Sequence, residues 1–77
     1  MFTVYAIKSN IKNYIYVWMT NNIERRLKEH NNGYEKPTKH YTPFTLIYTE
    51  EFVTRPEARI REKYFKSWQW KDFLKAL

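Results

Sequence analysis

At 77 residues, the chain has room for one domain (1–77) at the small end of what folds alone, where only about 60% of the unfolded surface is buried. The absence of cysteine excludes a disulfide framework and a thiolate zinc site and suits a reducing, cytoplasmic setting; no stretch approaches the roughly 18 apolar residues of a membrane span, and none reads as a secretory leader. Fourteen Lys and Arg against eight acids give a net charge of +6 and a pI near 9.7, which points to solubility or to a polyanionic partner such as nucleic acid.

Residues 2–7 and 14–20 run apolar with β-branched and aromatic side chains and are separated by a polar KSNIKN segment, which predicts a β-hairpin. A turn near Asn10 and Ile11 sets Tyr5 roughly opposite Tyr16, two phenols within reach of one ligand or a plain cross-strand aromatic pair. Asn21 and Asn22 precede IERRLKEH, where Ile23 and Leu27 share a face and Glu24 lies near the positive end of the helix dipole. A helix from Asn22 to Asn31 is expected, ended by an Asn or by the single glycine, Gly33. On it Arg26 and His30 stand one turn apart, beside the apolar stripe and suited to facing a phosphate; a solvated arginine and a structural histidine are the plainer alternatives.

Tyr34 to Pro43 reads as loop and residues 44–52, FTLIYTEEF, as a third strand. Thr54-Arg-Pro-Glu57 is a helix start, with a Thr cap, Pro in the first turn and Glu three residues after the cap, and the helix runs to about Ser67. If Ala58, Glu62 and Phe65 form its inward stripe, a carboxylate is buried and needs Arg26, a phenol or a divalent cation as partner. If Ile60, Tyr64 and Trp68 face inward instead, Glu62 is solvated between Arg59 and Lys66. The tail WQWKDFLKAL predicts a closing short helix, and the whole makes an α+β domain: a small three-stranded, mainly antiparallel sheet flanked by helices.

Five blocks in order carry a resemblance. TVY at 3–5 and YVW at 16–18, Arg26 with His30, YTPFTLIYTEEF at 41–52 and TRPEARIREKYFKS at 54–67 resemble the GIY-YIG nucleases, above all small single-domain members similar to the nuclease domain of the bacterial excision-repair endonuclease. The resemblance implies hydrolysis of DNA phosphodiester bonds, branched or single-stranded DNA included. Tyr5 would accept the proton of the attacking water, Arg26 would hold the phosphate, and Glu62 would bind one Mg²⁺ or Mn²⁺. Tyr16 and His30 would orient the network and pass protons, and Lys28, Lys39 and Trp18 are candidate nucleic-acid contacts. Trp18, Trp68 and Trp70 stand where the family is expected to carry glycine. Trp18 could obstruct the phosphate and leave an inactive nucleic-acid-binding module, could stack on a base, or could be turned away by a strand bulge.

Overall fold

The computed structural model describes residues 1–67; the expected closing helix, with Trp68 and Trp70, lies outside the described residues. Three strands, β1 (Phe2–Ser9), β2 (Ile15–Thr20) and β3 (Phe44–Phe52), form an antiparallel sheet in the order β2-β1-β3. Helix α1 (Ile23–Asn31) follows β2, a short 3₁₀ turn (Lys39–Tyr41) precedes β3, and α2 (Arg55–Lys66) follows it. The expected α+β architecture is thus present, with every strand pair antiparallel.

The central strand alternates its side chains between two cores. Val4, Ala6 and Val17 pack against Ala58 and Phe65 of α2 on one face of the sheet. Tyr5, Ile7 and Phe44 on the other face pack with Ile23 and Leu27 of α1 and with the aromatic rings of Tyr14, Tyr16, Trp18 and Tyr41. Val4 and Ile7 are fully buried, each contributing about 1.5–3 kcal/mol of apolar burial, and the large rings let a short chain fill two layers.

The hairpin corrects one expectation. Ser9 closes the connection, its N–H bonding the Tyr14 carbonyl at 2.9 Å while its hydroxyl accepts from the N–H groups of Ile11 and Lys12. The turn is therefore centred later than expected, and the pairing is displaced by two residues: Tyr5 lies opposite Trp18, and Tyr16 lies opposite Ile7. A slip of two, unlike a slip of one, preserves the face, so both phenols still stand on the α1 side, diagonally placed. The β1–β2 register is continuous from Thr3 to Lys8, and the irregularity in the sheet falls between β1 and β3, at Ala6 and Ile7. No bulge turns Trp18 away from the Tyr5 face.

Both helices start where the sequence signals them. The Asn22 side chain accepts from Arg25 N–H at 3.1 Å, and Thr54 accepts from Glu57 N–H at 3.4 Å with Pro56 in the first turn. At the end of α1, Gly33 takes the left-handed conformation at φ 75°, with Gly33 N–H bonded to His30 O and Tyr34 N–H to Glu29 O. This glycine-closed helix end reverses the chain, so the segment that follows, Glu35 to Thr38, comes back beside the last two turns of α1.

Candidate active site

The reversal at Gly33 completes a polar network within the α1-side core. His30 and Tyr5 are both 0% exposed, and the Tyr5 hydroxyl lies 2.9 Å from His30 Nε2. His30 Nδ1 lies 3.1 Å from the hydroxyl of Thr38, also fully buried, which donates in turn to the Glu35 carbonyl at 3.4 Å. That sequence of donors sets the tautomer. With its own hydrogen on Glu35 O, Thr38 accepts from Nδ1–H, so Nε2 carries the lone pair and accepts the proton of the Tyr5 phenol.

The Arg26 charge acts on the same hydroxyl. Arg26 Nη1 is held by Glu29 at 3.1 Å and by Glu35 at 2.8 Å, which keeps the guanidinium near enough to the Tyr5 oxygen to favour its anion. Burial pushes the Tyr5 phenol up to about 12, against the downward pull of Arg26. Burial and then the Arg26 charge hold His30 below its usual value, outweighing the acids nearby, so the imidazole is neutral at pH 7. Burial also disfavours the Arg26 charge, yet the hydrogen bonds it donates to Glu35 and Glu29, with the Tyr5 oxygen nearby, more than offset it and keep the guanidinium firmly protonated. A neutral phenol thus bonds a neutral imidazole able to take its proton, near a fixed cation whose charge favours its anion.

Tyr16 completes the aromatic wall, its ring 5.1 Å from that of His30 and 6.4 Å from Trp18. Its phenol is raised by burial first, then by the charges of Glu35 and, at the end of the series, Glu62. Glu62 itself is 2% exposed on the stripe shared with Ala58 and Phe65, while Ile60 is 71% exposed. The inward stripe is therefore the one that buries a carboxylate. Its ion-pair partner is neither Arg26 nor a phenol, as expected for a buried Glu62, but Lys66, whose ammonium folds back one helical turn to 3.0 Å from Oε1. The indole of Trp18 supports that ammonium at 4.0 Å and the Arg59 guanidinium at 5.9 Å. Arg26 is instead paired with Glu29 and with Glu35 of the returning loop.

Among the described residues, no three His, Cys, Asp or Glu side chains cluster as a preformed metal cage. Glu62 fits a different kind of ion site. Mg²⁺ in phosphoryl-transfer sites keeps several waters and is held by one or two carboxylates together with substrate phosphate, so one buried carboxylate is a sufficient protein contribution. Lys66 would have to yield its place beside Oε1.

Lys28 and Lys39 are exposed at the end of α1 and in the 3₁₀ turn. Three participants escaped the sequence reading: Thr38, Glu35 and the aromatic support of Lys66. Thr38 and Glu35 lie in a stretch readable only as loop. The spacing of Lys66 from Glu62 was visible, but as a solvated charge pair.

The three-stranded antiparallel sheet with its two helices defines an α+β protein of the GIY-YIG fold. The chain belongs to the GIY-YIG family: the description GIY-YIG catalytic domain matches residues 1–74. It is 42% identical over 64 residues to a UPF0213 protein of Clostridium perfringens, covering 82% of this chain and 68% of that protein. A UPF0213 protein of Staphylococcus haemolyticus is 36% identical over 75 residues, covering 96% and 90% of the two chains. Against a Bacillus licheniformis UPF0213 protein, 49% identical over 53 residues, the match spans 55% of the relative's length. The solution NMR structure of a UPF0213 protein from Bacillus halodurans superposes with a TM-score of 0.58 at 30% identity, covering 99% of this chain and 84% of that one.

Proposed function

We propose that the protein is a metal-dependent endonuclease that hydrolyses DNA phosphodiester bonds in the cytoplasm. One observation carries this function: the Tyr5 hydroxyl bonded at 2.9 Å to Nε2 of His30, within the field of the Arg26 guanidinium. Arg26, gripped at Nη1 by two carboxylates, presents its remaining N–H groups in a fixed direction to the scissile phosphate. As water attacks phosphorus, its proton passes to the Tyr5 oxygen while the Tyr5 proton passes to His30 Nε2. The water oxygen is then bonded to phosphorus, Tyr5 is neutral again, and the imidazolium holds the proton. The P–O3′ bond breaks, and the departing oxygen takes a proton from solvent. Glu62 would hold the divalent ion, Mg²⁺ or Mn²⁺, which when bound would supply charge neutralisation at the leaving oxygen. Tyr16 packs on His30 and fixes the plane of its ring.

A second reading is favoured by one feature: with Lys66 on the carboxylate and Trp18 beneath it, the chain would be a catalytically inactive nucleic-acid-binding module. Incubation with supercoiled and branched DNA in Mg²⁺ or Mn²⁺ separates the two. Cleavage that vanishes in chelator and in Glu62→Gln and Arg26→Ala supports the endonuclease. Salt-sensitive binding with no turnover in either metal would leave the inactive module.

A further inference from the structure

An open cleft of about 720 Å³, with Trp18 in its wall, runs between α1 and the start of α2. Arg25 and Arg26 reach it from α1, and Arg55 and Arg59 from α2. Arg26 is matched by Glu29 and Glu35. Among the described residues, Arg25, Arg55 and Arg59 have no carboxylate within ion-pair distance. Arg55 lies instead over the ring of Phe2 at 5.6 Å, and Arg59 over Trp18 at 5.9 Å. Unmatched guanidinium groups gathered around one concavity repel each other, and stacking on rings fixes their direction without neutralising them. Glu29 also lines the cleft but is taken up by Arg26, which leaves the three other guanidinium groups of the cleft without a carboxylate there.

We propose that this cleft is a second phosphate-binding subsite, which takes the sugar–phosphate backbone running on from the phosphate held by Arg26. The proposal rests on the endonuclease reading and adds a path for the substrate to it. Arg55 and Arg59 are one helical turn apart, a side-chain spacing of about 5–6 Å that suits successive phosphates of one strand. Arg26 lines both the cleft and the Tyr5 site, which makes the two continuous. The aromatic rings at the cleft carry cations, Lys66 and Arg59 on Trp18 and Arg55 on Phe2, so the grip is on phosphates and is indifferent to base identity. Trp18, in the place of a glycine, is then a positioning residue that aims Arg59.

The test is fluorescence anisotropy of a labelled single-stranded 20-mer across a salt series in chelator, with inorganic triphosphate as competitor. The variant Arg55→Gln/Arg59→Gln is compared with Lys36→Gln/Lys63→Gln, which removes the same charge elsewhere. For two lost phosphate contacts the slope of log affinity against log salt should shallow by about 1.4, with the control slope unchanged. Near-ultraviolet circular dichroism confirms that each variant is folded. Equal slopes for the two variants would overturn the subsite and leave the endonuclease untouched. Triphosphate displacing the 20-mer at equal phosphate concentration would also overturn it, in favour of a small-anion pocket. Failure of the wild type to cleave in metal would instead remove the parent reading.

Discussion

Replacing Glu62 by methionine should make the protein more stable and leave it unable to cleave DNA. The carboxylate is 2% exposed between Ala58 and Phe65, and its one ion-pair partner among the described residues, Lys66, is 42% exposed in its side chain. A pair with one half in solvent recovers little Coulomb energy, about 0–1 kcal/mol. The carboxylate nevertheless bears the desolvation cost of burial. Methionine removes that cost and gains apolar contact, while Lys66 stays hydrated, so the penalty for stranding a buried partner does not arise. Exchanges of buried charge for apolar volume stabilise by up to about 1–4 kcal/mol, and with one charge removed about 1–2 kcal/mol is expected here. For a domain of this size that raises the melting temperature by roughly 4–16 °C. Thermal unfolding followed by circular dichroism reads the shift, and plasmid nicking reads the loss of activity. A melting temperature lowered by about 5 °C or more would show that Glu62 is held for structure, which refutes the reasoning.

Three further outcomes follow from the same geometry. The single-turnover cleavage rate should rise with pH through a midpoint below 6.5, where His30 becomes neutral, and then stay flat toward the alkaline side, because Tyr5 ionises only near 12; a rate climbing steadily from pH 7 to 10 would mean that a preformed phenolate does the work. Thr38→Val should lower stability by about 1–3 kcal/mol in urea titration by stranding His30 Nδ1, and Thr38→Ser should restore it; an unchanged midpoint in the valine variant would mean the tautomer is set by another group. Trp18→Gly should weaken oligonucleotide binding about 2–5-fold by releasing Arg59 and Lys66, whereas tighter binding and faster cleavage would mark the indole as an obstruction.

Local signals carried much of this fold. Thr54, Pro56 and Glu57 announced α2, Asn22 announced α1, and alternation marked the strands, because caps and periodicity act over a few residues. The same-face placement of Tyr5 and Tyr16 was readable because parity survives a two-residue slip, whereas the register itself was not. Register depended on the Ser9 hydroxyl, which gathers the N–H groups of Ile11 and Lys12 and donates to the Tyr41 carbonyl at 2.6 Å. Likewise Arg26 and His30 could be placed on one stripe, but Glu35 and Thr38, which give those two side chains their state, arrive through a nonlocal reversal at Gly33. Glu62 shows the limit most clearly: its spacing fitted two stripes, and only the packing of Ala58 and Phe65 against Val4, Ala6 and Val17 decides which faces the sheet.

Tyr5→Phe probes the buried phenol with the smallest change available, since the ring remains and only the hydroxyl bonded to His30 is lost. Single-turnover cleavage of a short DNA in saturating Mg²⁺, with affinity measured separately in chelator, should fall by about 10²–10⁴ while binding changes little. Cleavage by the phenylalanine variant within fivefold of the wild-type rate would contradict the account.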